Sequence, residues 1–242
     1  AKDTTIVDFE VASLDIWSWK DPYIQPQQLN RLSNELKRTY TGIIQLDKGN
    51  KFTLLANEEM PYTTISAEGN GRYAMLYSDI PYRLQSQWTS TQYDVWLYDL
   101  ETDALTSVVT SLNGRPLLSE QGKYISWFDT EEGDWYIYDN KSAQIANVTE
   151  SIDVNFWNEK HDVPSKPGSY GIASWAENDE YILVNDAFDI WKIDPQNKAK
   201  AENITQYIGR KDSITFRYIR TDPDKRFVEV NETLLLQAFD NK

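Results

Sequence analysis

Hydrophobic and polar positions alternate along this chain in short runs, and the runs repeat. Tyr93-Asp94-Val95-Trp96-Leu97-Tyr98-Asp99 returns as Asp134-Trp135-Tyr136-Ile137-Tyr138-Asp139, and again as Phe188-Asp189-Ile190-Trp191-Lys192-Ile193-Asp194. A degenerate copy, Tyr40-Thr41-Gly42-Ile43-Ile44-Gln45-Leu46-Asp47, lies upstream. Each copy reads as a strand, because aromatic and β-branched residues fit a pleated surface. Turn formers follow, then a second short apolar run at 52–55, 105–108, 145–149 and 203–205. Upstream of each hairpin a polar turn (66–72, 119–123, 174–180, 221–226) leads into another strand at 73–76, 124–127, 181–184 and 227–228. Those turns suit tight reversals, since Gly and Asn accept a left-handed backbone and Asp caps its own chain. One more short strand precedes each turn, at 62–65, 115–118, 170–173 and 214–218. Four strands per unit, recurring every ~40 to 55 residues, define the blade of a β-propeller.

The units span approximately 5–56, 60–110, 114–150 and 168–206, with a partial one over 212–242. The expected fold is therefore all-β: a β-propeller of four-stranded antiparallel blades, about four plus a partial one. The first unit is expected to open with a strand over 7–19, which puts Trp17 and Trp19 on one face. A short helical insertion follows near 25–39. Pro26 suits a first turn, and Leu29, Leu32 and Leu36 recur at helical spacing between Arg31, Glu35 and Lys37. Segments 81–90 and 156–169 are longer than hairpin loops need. Such loops carry binding on a rigid scaffold, or else cover blade edges.

The chain has 242 residues, 40% of them hydrophobic and 13% aromatic, enough to fill one large all-β core. Its 24 basic and 38 acidic residues leave a net charge of −14. That argues against a nucleic-acid partner, which needs a basic surface. There is no cysteine, so neither disulfides nor cysteine-ligated metals enter. No stretch approaches the ~18 apolar residues of a membrane span, and the polar first residues do not resemble a signal peptide. Both ends read as abrupt, so the expectation is a segment of a longer protein.

The candidate chemistry is sparse. His161 is the sole histidine, in a polar loop between Lys160 and Asp162. It reads as a solvated side chain, with a general base or pH switch as the functional alternative. Asp94, Asp134 and Asp189 precede the strand tryptophans or sit beside them, and Asp99, Asp139 and Asp194 end the same strands. Paired carboxylates serve glycoside hydrolysis. A single active site does not need the same Asp in each blade, so turn and strand-end duties are expected. The acidic run Asp129-Thr130-Glu131-Glu132-Gly133-Asp134 offers oxygen ligands for Ca²⁺ but lacks the full EF-hand spacing. Asn147-Val148-Thr149, Asn203-Ile204-Thr205 and Asn231-Glu232-Thr233 match a glycosylation acceptor. The first two share a repeat position, so repetition accounts for them. Trp88 is the candidate exposed aromatic contact. No catalytic, cofactor or metal residue is assigned.

With the repeats placed, a family resemblance emerges. Asp15-Ile16-Trp17-Ser18-Trp19-Lys20-Asp21-Pro22-Tyr23-Ile24-Gln25-Pro26-Gln27-Gln28 resembles the propeller of prolyl-oligopeptidase-family (S9-like) serine peptidases, particularly Bacteroidetes-type homologues. Phe156-Trp157-Asn158-Glu159, Val163-Pro164, Ser169-Tyr170-Gly171-Ile172-Ala173, and Asn185-Asp186 before Phe188-Asp189-Ile190-Trp191 resemble the same group. The resemblance implies a propeller that gates peptide access and packs on an α/β-hydrolase domain. That domain would bear a Gly-x-Ser-x-Gly nucleophile, which this chain lacks, so the hydrolase is expected beyond Lys242. A periplasmic or secreted location belongs to the same implication. Two other readings stay open: a TolB/WD40-like protein-binding propeller, and a propeller hydrolase acting through carboxylates. An open arc of blades would also leave edges and apolar faces that favour self-association.

Overall fold

The computed structural model describes residues 14–240. Helix α1 (Gln25–Leu36) comes first, with Pro26 in its first turn, where the missing N–H has no partner to lose. Strands β1 (Gly42–Gln45) and β2 (Lys51–Leu54) then form a two-stranded antiparallel sheet. The first full blade is β3 (Tyr62–Ile65), β4 (Tyr73–Ser78), β5 (Gln92–Asp99) and β6 (Ala104–Asn113), paired in that order. The second is β7 (Leu117–Leu118), β8 (Tyr124–Asp129), β9 (Asp134–Asp139) and β10 (Gln144–Asn147). The third is β11 (Ile172–Ala176), β12 (Ile182–Asn185), β13 (Ile190–Ile193) and β14 (Glu202–Asn203). Helix α2 (Ile208–Asp212) leads to β15 (Ile214–Tyr218), β16 (Phe227–Val228) and β17 (Leu236–Asp240). β15 pairs with β17, and β16 joins the third blade alongside β11.

The repeated phrase is apolar on both faces because both faces of a blade are covered. Side chains alternate across a strand, and in β8 the two sets enter different cores. Ile125 and Trp127 pack with Met75, Val95, Leu97 and Leu112 of the first blade. Tyr124 and Phe128 pack with Trp175, Ile182, Val184, Trp191 and Ile193 of the third. The same division recurs in β4, where Met75 faces the second blade while Ala74 and Leu76 meet Leu55 and Ile43 beside β1–β2. In β12, Leu183 turns instead toward Phe216, Tyr218 and Leu236. Sheets stacked face to face through shared aromatic layers, three of them built on a four-stranded antiparallel meander, form the all-β propeller-type architecture expected from the repeats.

Three expectations are corrected. Of the strand over 7–19, residues 7–13 lie outside the described residues. Leu14 to Trp19 are not in a strand. Asp21 N–H and Lys20 N–H both turn back to Ser18, and Trp17 and Trp19 are 61% and 81% exposed. Second, Phe227-Val228 does not pair with 214–218. Those two apolar residues are followed by the largely polar run Glu229-Val230-Asn231-Glu232, whereas Leu236 to Asp240 supply a five-residue register against β15. Third, Ser174 to Ala176 belong to β11 rather than to the following turn, because all three are buried between blades.

Candidate functional site

In each full blade the turns of the first and last hairpins lie at one end of the sheet, and the middle turn lies at the other. The first end is a face of short turns. Asp99 accepts from Glu101 N–H at 2.9 Å, and Asp139 accepts from Lys141 and Ser142 N–H at 2.8 and 3.0 Å. Asp194 accepts from the N–H groups of Gln196, Lys198 and Ala199 at 2.9, 3.0 and 3.0 Å. The Arg72 guanidinium, bonded to Asp99 at 3.0 and 2.6 Å, holds that carboxyl below the usual aspartate range. The inner turns also grip one another. Asp179, 1% exposed, accepts from Ser119 Oγ at 2.6 Å and from Gln121 and Lys123 N–H at 3.1 Å each. That ties the third blade to the second. Ala67 N–H donates to the Glu120 carbonyl at 2.7 Å and ties the second to the first.

Asp94, Asp134 and Asp189 sit at the opposite end as latches between strands. Asp94 accepts from Tyr82 Oη at 2.5 Å and Ser111 N–H at 3.0 Å. Asp134 accepts from Thr149 Oγ1 at 2.7 Å and Asn147 Nδ2 at 3.0 Å. Asp189 accepts from Thr205 Oγ1 at 2.6 Å and from Gly209 and Arg210 N–H at 3.0 and 3.2 Å. A Cβ on Gly209 would lie 2.5 Å from Asp189 Oδ1, so only glycine admits this approach. The Asn-x-Thr repeats are the other half of the latch. Asn147 Oδ1 and Asn203 Oδ1 each accept from the N–H two residues on, at 3.1 Å, while the threonine reaches the aspartate. Asn231, the third match, lies in an exposed turn.

This second end carries the long segments. Gln87 Nε2 donates to the Asp21 carbonyl at 3.1 Å, and the guanidinium groups of Arg31 and Arg83 stand 4.3 and 5.3 Å from the Tyr23 ring. These contacts place α1 beside loop 80–90. Arg83 is itself paired with Asp79 at 2.8 Å. Trp88, at the tip of this loop, is 68% exposed. Burial, then the Asp94 hydrogen bond, pushes the Tyr82 hydroxyl up. Segment 156–169 is anchored by buried Phe156. Its Trp157 covers Gly133, where φ is +80° and a Cβ would meet the indole at 2.9 Å. His161 Nε2 contacts Ser165 Oγ at 2.9 Å and the Ser165 carbonyl at 3.0 Å. With Glu131, Glu132, Val163 and Lys166 it borders a hollow of about 330 Å³. Asp129 of the acidic run accepts from Glu131 and Glu132 N–H at 2.8 and 3.2 Å.

The candidate residues are thus not brought together. His161, Trp88 and the repeated aspartates occupy separate places, and no three His, Asp or Glu side chains converge as a metal site among the described residues. Sequence reasoning missed Asp179 and Asp186. Asp186 is buried and accepts from Phe188 N–H, Asp189 N–H and Trp191 Nε1 at 2.6, 2.7 and 2.9 Å. A carboxylate in a polar turn looks solvated in one dimension. What marks Asp186 is its place between a fully buried strand and the repeated phrase.

Fold and site together define a propeller-type protein with one face of short turns and one of long loops. No described protein family matches the chain, and no curated protein matches it. Among solved structures it is similar to the β-propeller domain of the Trilobed protease from Pyrococcus furiosus, which has an open velcro topology. The two are 15% identical with a TM-score of 0.42, over 83% of this chain and 60% of that one. It is also similar to TolB from Acinetobacter baumannii, at 12% identity and a TM-score of 0.37, over 79% of this chain and 44% of that one. The chain thus spans less than two thirds of either. No helix among the described residues is long and apolar enough to cross a membrane.

Proposed function

We propose that this chain is the non-catalytic propeller region of a prolyl-oligopeptidase-like serine peptidase. In this reading it gates peptide access and packs its loop face on an α/β-hydrolase domain. The observation that carries the proposal is the division of labour between side chains. The repeated carboxylates are consumed by strand and turn latches. Exposed apolar side chains such as Trp88 and Val163 sit on the long segments of one face. Exposed apolar side chains on the long loops of a rigid scaffold suit a protein contact. The family wording of segments 15–28 and 156–173 supplies the partner, and a periplasmic or secreted location goes with it. A second reading, a TolB/WD40-like module that binds another protein, is favoured by the same loop face, which requires only a protein partner.

The test is a peptidase assay on the whole protein that carries this chain, beside the chain alone, with proline-containing chromogenic peptides and a serine-directed phosphonate probe. Turnover and labelling confined to the whole protein support the gating domain. No labelling of either turns the assignment to the binding module. Carbohydrate hydrolysis by the chain alone, lost on Asp134→Asn, would instead make it a carboxylate hydrolase.

A further inference from the structure

The segment around β16 does not follow the repeat, and its contacts say why. Phe227 and Val228 add a two-residue parallel strand to Trp175 and Ala176 on the free, inner edge of β11, the first strand of the third blade. Val228 is 0% exposed, packed with Ala176, Leu183 and Ile190. The preceding residues reach the other two blades. Arg226 Nε stands 3.7 Å from Glu68 Oε1, in the inner turn of the first blade. Asp224 to Phe227 also face Glu120 and Gln121, in the inner turn of the second, across a hollow of about 330 Å³. One stretch of seven residues therefore meets the inner edge or inner turn of all three full blades, where those turns already converge through Asp179 and Ala67.

Its attachment is slight. Residues 221–224 and Arg226 are exposed. The turn organises itself through Lys225, which pairs with Glu229 and Glu232 at 3.1 and 2.9 Å. What fixes it to the blades is two registered backbone pairs, one buried valine, half-buried Phe227 and one exposed ion pair. Exposed ion pairs contribute little, and elements with few buried contacts open below the global unfolding free energy. Burial first of all raises the Glu120 carboxyl above its ordinary range, with Arg226 opposing, consistent with a side chain partly covered at this place.

We infer that residues 222–228 form a strap across the converging inner turns, closing that end of the propeller axis, and that the strap opens as a unit without unfolding the blades. Opening would give solvent or a peptide a route along the axis at the turn face. The inference rests on the blade arrangement and not on the peptidase reading, so the two fail independently.

The chain has no cysteine, so a single introduced thiol reports its own access. Val228→Cys is compared with Leu105→Cys, a β6 position that is 47% exposed. The expected result is maleimide labelling of Val228→Cys about tenfold slower than the control, yet complete at urea concentrations below the unfolding transition. Arg226→Ala should speed it several-fold with the melting temperature unchanged. Labelling as fast as the control would mean that the strap is not seated. Labelling that appears only with global unfolding, indifferent to Arg226→Ala, would mean a fixed part of the core; either result overturns the inference. If Val228→Cys does not fold, amide exchange of a peptide covering 222–230 in the unaltered protein separates the same outcomes.

Discussion

The two ends of the blades use the same residue types differently. On the turn face, carboxylates are short-range caps and inter-blade staples. Asp139 and Asp194 close their own turns, and Asp179 reaches a neighbouring blade. On the loop face the latches lie beneath the surface, and above them the chain spends α1, loop 80–90 and segment 156–169 on solvent-facing side chains. The carboxylates Asp99, Asp139 and Asp194 on the first face are there to satisfy backbone. Buried Phe156 anchors the second face, whereas its exposed apolar residues, Trp88 and Val163, are not there for the core. Under the proposed function, stability and recognition are separated along the strand direction, as on other scaffolds whose loops carry function.

The sharpest way to break this contrast is Asp179→Ala. It leaves Ser119 Oγ and two buried-side N–H groups without their acceptor, and we expect a loss of about 3 kcal/mol in urea unfolding. Thr149→Val should cost about 1 kcal/mol, since it removes one hydroxyl donor to Asp134 and the acceptor of Trp135 N–H. Trp88→Ala on the loop face should move stability by less than about 0.5 kcal/mol. A Trp88→Ala loss as large as that of Asp179→Ala would erase the distinction.

Acid sharpens the comparison further. Asp99 has its carboxyl lowered by the Arg72 hydrogen bond, so the folded state holds its proton less tightly than the unfolded chain. That contribution is present above the ordinary aspartate range and is lost as pH falls through the lower folded value. Glu120 is the opposite case, raised chiefly by burial. The folded state there favours the proton, so stability declines as pH rises from the ordinary glutamate range through the raised value. Melting temperature against pH should therefore show a shallower acid limb for Asp99→Asn, and a gain for Glu120→Gln that appears only at higher pH.

The blades were legible because their information is local and periodic. The phrase around Trp96, Trp135 and Trp191 carries a strand period, two apolar faces and a closing Asp, and the structure folds each copy as the third strand of its blade. The structural reading of the repeated aspartates came from recurrence alone, and their bonds agree with it. What was not legible depends on distant pairing. Nothing in Phe227-Val228 announces a parallel partner some fifty residues back, and a one-dimensional pattern cannot tell an inter-blade staple such as Asp179 from any other turn carboxylate. The exposure of Leu29, Leu32 and Leu36 likewise escapes periodicity, which finds an apolar stripe but not what covers it.

The account's central claim is that the loop face is the contact face. Hydrogen–deuterium exchange on the whole protein and on this chain alone tests it most directly. We expect the whole protein to add protection over 25–36, 80–90 and 156–169, with the Asp-capped turns at 99–103, 139–143 and 194–199 unchanged. Added protection confined to those turns, with the loop segments exchanging as in the isolated chain, would contradict it.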